Sequence, residues 1–126
     1  MLIPDFYTIQ KAEIVGEKLQ ATLVLNPDHG IFKGHFPGQP VVPGVIQLQV
    51  IKELLEAHLN YKLQLTNMSQ AKFLMMIIPD KEPLTVTLSH RLKETGYLHV
   101  DGEVSRGSQI FTKVKADFQR QEVLLK

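Results

Sequence analysis

PGVIQLQVIKELLEAHLN, at residues 43–60, has the pattern of a helix that is buried on most of its sides. Apolar side chains cover well over half of a helical wheel, and the remaining stripe holds Gln49, Lys52, Glu53, Glu56 and Asn60. A helix this apolar is surrounded by protein rather than laid on a surface. Gln47 lies within the apolar arc, so we expect it to be buried and hydrogen-bonded.

Alternating apolar and polar residues on both sides of this helix predict an antiparallel sheet. The predicted strands cover residues 8–15, 19–26, 62–77, 84–93, 98–104 and 110–119. A sheet with one apolar face and a single apolar helix bury each other best when the sheet curls around the helix. The predicted fold class is therefore α+β, with residues 1–126 forming one domain.

Composition excludes several classes of protein. The chain has 126 residues, a formal net charge of +1 and no cysteine. Interspersed charges argue against a nucleic-acid binder, which needs a clustered basic surface. The absence of cysteine excludes disulfides, thiolate metal sites and cysteine nucleophiles. The histidines show no metal-ligand spacing and no dinucleotide motif is present, so we expect neither a metal nor a cofactor. No run approaches the roughly 18 apolar residues of a membrane helix, and we expect a cytoplasmic protein.

The loop before the helix reads GHFPGQPVVPGV, at residues 34–45. It places the imidazole of His35 on a backbone that prolines stiffen. Gly44 falls in the first helical turn, where an N–H group has no intrahelical partner and can stabilise negative charge on a substrate oxygen. A histidine beside such a donor suits removal of a proton next to a carbonyl group. A structural histidine that caps a buried loop is the alternative, and the surrounding motif favours the catalytic interpretation.

This loop resembles the signature of the (3R)-3-hydroxyacyl-acyl-carrier-protein dehydratases, and the likeness extends over nearly the whole chain. The resemblance implies a hot-dog fold, a homodimer or trimer of dimers, and an interface tunnel for a phosphopantetheine-linked acyl chain. It implies that His35 is the catalytic base and that the Gly44 N–H polarises the thioester carbonyl. It also implies that the Val41 carbonyl orients the imidazole. The substrate contacts implied by the same motif are Phe36, Pro37, Gly38, Val41 and Val45.

One position departs from the pattern of that family. The family has a Glu or Asp fourteen positions after the histidine, where this chain has Gln49. An amide donates a hydrogen bond but does not titrate, so it cannot deliver the proton that dehydration requires. Glu53 lies one turn later on the same helix face. We hypothesise that Glu53 supplies the proton, directly or through a water held by Gln49; the alternative is that Glu53 belongs to a solvated stripe.

Three functions follow from these residues. The first is dehydration of a 3-hydroxyacyl thioester to a trans-2-enoyl thioester, carried by acyl carrier protein or coenzyme A, in fatty acid or polyketide-like synthesis. The second is a catalytically silent, acyl-thioester-binding subunit of a heterodimeric dehydratase, because the usual acid is replaced. The third is thioester hydrolysis, which the intact GHFPG loop disfavours since hydrolysis needs no base for an alpha proton.

Overall fold

The computed structural model describes residues 5–32 and 40–121. Within these ranges the chain forms one α-helix, α1 (Gly44–Leu59), and a short 3₁₀ turn at Gly30–Phe32. The strands are β1 (Tyr7–Val15), β2 (Lys18–Leu25), β3 (Leu63–Phe73), β4 (Leu84–Leu92), β5 (Leu98–Arg106) and β6 (Gln109–Arg120). Each predicted strand is present, and the largest difference is that the third strand ends at Phe73 rather than at residue 77.

The strands form a single antiparallel sheet in the order β1-β2-β4-β5-β6-β3. Strand β3 therefore lies beside β6, and β4 lies in the middle of the sheet. The regular pairing of β3 with β6 ends after Phe73. There the N–H groups of Leu74 and Met75 both donate to the Phe111 carbonyl oxygen, at 2.8 and 3.2 Å. The following residues carry the chain across to β4.

Helix α1 lies against one face of this sheet. Ile51 and Leu55 on the helix and Leu88 on β4 are fully buried. Gly102 on β5 allows the close approach, since a Cβ atom there would lie 3.1 Å from a Leu88 methyl and 3.3 Å from a methyl of Ile51. The prediction of a sheet that curls around an apolar helix is confirmed.

Both ends of α1 have clear local causes. Pro43 precedes the helix in an extended conformation, and its carbonyl oxygen accepts the N–H groups of Ile46 and Gln47. At the other end Asn60 adopts a left-handed conformation with φ of 63°. Asparagine tolerates that conformation better than most residues, so the helix ends there.

An ion-pair cluster stabilises the sheet face that points away from α1. Asp117 on β6 lies 2.8 Å from His99 Nδ1 and 3.0 Å from Lys93 Nζ. These hydrogen bonds, from His99 and then from Lys93, lower the pKa of Asp117 below the ordinary value of an aspartate. The carboxylate therefore stabilises the folded chain above about pH 4 and ceases to do so as the pH falls through its lowered pKa.

Asp117→Asn should lower the free energy of unfolding at pH 7 and weaken its dependence on acid pH. An amide has no charge to lose, so the difference from wild type should narrow as the pH drops below about 4. Urea unfolding followed by circular dichroism from pH 3 to 7 measures this. Asp28→Asn is the control, because Asp28 is exposed and has no ion pair among the described residues. Parallel curves for wild type and Asp117→Asn would contradict the prediction.

Candidate active site

The predicted catalytic loop is described only in part. His35, Phe36, Pro37 and Gly38 fall within residues 33–39, outside the described residues, so their predicted roles stay predictions. The remaining predicted site residues lie on the segment 40–43 and on α1.

A buried amide fixes the segment that leads into α1. Gln47 is only 6% exposed, and its Nε2 donates to the Val42 carbonyl oxygen at 3.2 Å. Its Oε1 accepts a hydrogen bond from the hydroxyl of Thr112 on β6. The Val42 N–H donates to the Ile77 carbonyl oxygen at 2.8 Å. The prediction that Gln47 is buried and hydrogen-bonded is confirmed, and its bonds join the loop, the helix and the sheet.

Gly44 begins α1 under an aromatic ring. A Cβ atom on Gly44 would lie 2.6 Å from Cζ of Phe73. With the Phe73 ring in its present position, only glycine fits beneath it. The Gly44 N–H has no acceptor among the described residues, as expected for a first helical turn. Val41 is buried, whereas Val45 is 70% exposed.

Gln49 and Glu53 form a direct pair on the next turn of the helix. Gln49 Nε2 donates to Glu53 Oε2 at 3.0 Å. The structure thus joins the two residues by a hydrogen bond of their own, at the i,i+4 spacing that brings helical side chains together. Both are half-buried, so Glu53 does not belong to a fully solvated stripe.

Tyr7 on β1 completes the group and was not predicted from the sequence. Its hydroxyl donates to Glu53 Oε1 at 3.1 Å. Burial, the negative charge of Glu53 and this hydrogen bond together raise the pKa of Tyr7 well above the ordinary value of a tyrosine. Tyr7 is therefore a neutral donor at any physiological pH. No pattern in the sequence links residues 46 positions apart, which is why the contact was missed.

Glu53 and Tyr7 open onto a cleft of about 970 Å³ along the second half of α1. The volume is sufficient for a small organic ligand. Its remaining walls come from β1, from α1, from the residues just before β3 and from the end of β6. They include Ile9, Glu56, Ala57, Asn60, Tyr61, Lys62 and Arg120. The Arg120 guanidinium lies over the Tyr61 ring, 4.7 Å from its centroid. A carboxyl group with two hydrogen-bond donors thus lies on a cleft that has apolar, acidic and cationic side chains in its walls.

Two other kinds of site are not found in the part of the chain that the structure describes. Among residues 5–32 and 40–121, no three His, Asp or Glu side chains are grouped so as to hold a metal ion. No helix formed by these residues is long and apolar enough to cross a membrane.

Comparison with known proteins defines the class to which this helix-and-sheet arrangement belongs. The family model for ApeI dehydratases matches residues 11–111, which include the 34–45 loop and all of α1. The chain therefore belongs to the ApeI-like dehydratase family. It is 33% identical over 94 residues to the 3-hydroxyacyl-acyl-carrier-protein dehydratase FabZ of Ehrlichia chaffeensis, a match covering 67% of this chain and 66% of that protein.

A second FabZ, from Anaeromyxobacter sp. strain K, is 33% identical over 104 residues, which cover 71% of this chain and 66% of the relative. The chain thus matches just under two thirds of the length of these relatives. The predicted resemblance to the 3-hydroxyacyl-acyl-carrier-protein dehydratase family is confirmed.

Solved structures agree on the fold. A chain of the dehydratase heterocomplex ApeI:P from Xenorhabdus doucetiae has a TM-score of 0.70 at 22% identity, covering 90% of this chain and 97% of that one. A thioesterase from Haemophilus influenzae has a TM-score of 0.65 at 11% identity, covering 98% of this chain and 85% of that one. At such identities the likeness establishes the fold alone, and the predicted hot-dog fold is confirmed.

Proposed function

We propose that this chain catalyses the reversible dehydration of a 3-hydroxyacyl thioester to the trans-2-enoyl thioester. The observation that carries the proposal is the Gln49–Glu53 hydrogen bond beside an open cleft. It joins a titratable carboxyl group to the amide that occupies the family's acidic position. A helix that lacked Glu53 would offer the leaving group only a non-titrating amide from these two positions.

In the proposed reaction His35 removes a proton from C2 of the substrate. The Gly44 N–H stabilises the charge that develops on the thioester oxygen, as oxyanion donors at helix starts do. The C3–O bond breaks, Glu53 gives its proton to the departing hydroxyl group, and a water molecule leaves with the C2=C3 bond formed. His35 ends protonated, and Glu53 ends as a carboxylate that accepts a hydrogen bond from the Gln49 amide. A proton then passes from His35 back to Glu53 before the next turnover. Hydration runs the same steps backwards, with the Glu53 carboxylate taking a proton from water.

We propose acyl carrier protein as the bearer of the thioester, with coenzyme A as the alternative. The FabZ relatives are named for carrier-protein substrates. Lys62 and Arg120 line the cleft beside Glu53 and Glu56, and have no carboxylate partner among the described residues. These two cations would suit an acidic or phosphorylated bearer.

We further propose a homodimer, alone or as a trimer of dimers. Strand β3 is an edge of the sheet, and its outer side has no partner strand among the described residues. Large apolar side chains are exposed on β3 and just after it, namely Leu65, Phe73, Leu74, Met75, Met76 and Ile78. An edge of this length with an apolar surface of this kind is a site that a second chain covers in soluble proteins.

A specific observation also favours the second candidate, a silent subunit of a heterodimeric dehydratase. Gln49 stands where the family has its acid, and the structural neighbour from Xenorhabdus doucetiae belongs to a dehydratase heterocomplex. In that role the chain would bind an acyl thioester and complete the active site of a different subunit.

One experiment separates the two candidates. The purified chain is mixed with a trans-2-enoyl thioester of acyl carrier protein or of coenzyme A, and the gain of one water is followed by mass spectrometry. Light scattering on the same sample gives the assembly mass in multiples of the 14.3 kDa chain. We expect turnover by a homodimer and no turnover by His35→Ala. A chain that is inactive with both thioesters, yet is thermally stabilised by them, would contradict the independent enzyme and support the silent subunit.

A further inference from the structure

We propose that Tyr7 is a positioning residue of this site, which holds the Glu53 carboxyl group in place. The inference deepens the proposed dehydratase function and rests on it. It concerns a residue that lies outside the loop and the helix that carry the family motif.

The geometry gives each oxygen of Glu53 a donor from a different element. The Tyr7 hydroxyl, on β1, lies 3.1 Å from Oε1, and the Gln49 amide, on α1, lies 3.0 Å from Oε2. The last torsion of a glutamate has a broad energy minimum, so a single hydrogen bond leaves the carboxyl group free to rotate. Two donors on opposite oxygens fix the plane of the group, and a proton can then be delivered from a defined position.

Tyr7 is itself rigidly held. Its side chain is 7% exposed and its ring meets that of Phe6 edge to face, with centroids 6.4 Å apart. Its backbone is paired with Leu25 in the β1–β2 ladder. The hydroxyl therefore has little freedom to leave Glu53, and the raised pKa of Tyr7 keeps it a donor across the pH range of an enzyme assay.

Other polar groups around the cleft stay unchanged when the Tyr7 hydroxyl is removed. They are Glu56 from α1, and Tyr61, Lys62 and Arg120 from the segments beside β3 and β6. Glu56 accepts a hydrogen bond from the Leu63 N–H at 2.8 Å, and Arg120 lies over the Tyr61 ring. A change in kcat on removal of this one hydroxyl therefore reports the contact between Tyr7 and Glu53.

The test measures kcat and KM for dehydration and hydration in wild type, Tyr7→Phe and Tyr97→Phe. Tyr97 is a half-exposed hairpin residue, so its variant makes the same chemical change away from the site. For Tyr7→Phe we expect kcat to fall about tenfold with KM changed less than about twofold, and no such fall for Tyr97→Phe. A rise in KM as large as the fall in kcat would overturn the inference, since a merely structural role weakens substrate binding as well.

Two further arms keep the test decisive. In a Glu53→Gln background, Tyr7→Phe should cause little additional loss, because a residue that acts through Glu53 has nothing left to position. An equal loss in both backgrounds would overturn the inference. If Tyr7→Phe does not fold, 3-fluorotyrosine at position 7 replaces it; this stronger donor should change kcat with KM changed less than about twofold, and an unchanged kcat would overturn the inference. An inactive wild type instead refutes the proposed function, whereas an active wild type with an unaffected Tyr7→Phe refutes only the inference.

Discussion

Glu53→Gln should lower the rate of dehydration by about 10²–10⁴-fold, the usual contribution of a positioned general acid. The substitution keeps the size of the side chain and removes only the titrating group. Gln49 cannot replace the Glu53 carboxyl group, because an amide does not titrate and cannot deliver a proton. The Tyr7 hydroxyl still has an oxygen acceptor in the glutamine, so folding should be little changed. Initial rates on a 3-hydroxyacyl thioester, with circular dichroism as the folding check, measure both expectations.

Exchange of Gln49 and Glu53 tests whether the carboxyl group can act from either position on the helix. The double variant Gln49→Glu, Glu53→Gln has the carboxyl group at the position that the family uses and the amide one turn later. Because the two side chains share a helix face and a hydrogen bond, the exchange should restore part of the activity that Glu53→Gln loses. Glu103→Gln is the matched control, since Glu103 lies on the sheet face opposite α1. Near-normal turnover by Glu53→Gln would show that the acid is not Glu53.

Local sequence patterns predicted the parts of this molecule that depend on near neighbours. The helix followed from its apolar period, and its bounds differ from the predicted ones by one residue at each end. The Gln49–Glu53 contact followed from the i,i+4 spacing, which brings side chains together on any α-helix. Burial of Gln47 followed in the same way from its place in the apolar arc. Each of these inferences uses geometry that a single element fixes.

Features that depend on distant parts of the chain could not be predicted in this way. The pairing of β3 with β6, rather than with the strand that follows it, is set by how the sheet closes around the helix. Thr112 and Tyr7 reach α1 only once that sheet has formed. Tyr7 is the first residue of β1 and is followed by exposed residues, so no alternating pattern marks it as buried. Thr112 and Tyr7 are separated from their partners by 65 and 46 positions, so no local period could reveal these contacts.

Gln47→Leu should lower the free energy of unfolding by about 2–6 kcal/mol, because it leaves two buried polar groups without a partner at about 1–3 kcal/mol each. The groups are the Thr112 hydroxyl and the Val42 carbonyl oxygen. Adding Thr112→Val removes the first of them and should recover about 1–3 kcal/mol. Urea unfolding of wild type, the single variant and the double variant, all at one protein concentration, measures these differences. The concentration is fixed because the stability of an oligomer depends on it.

The same two variants separate stability from the positioning of the site. Val42 lies two residues before Gly44, and the Gln47 amide is one of its two anchors, with the Ile77 carbonyl as the other. Gln47→Leu removes that anchor whether or not Thr112→Val is present. Turnover should therefore fall in the single variant and stay low in the double variant, although the double variant is the more stable protein. Recovery of turnover in step with stability would instead mean that Gln47 serves the fold alone, and that the path of the chain into α1 does not depend on its amide.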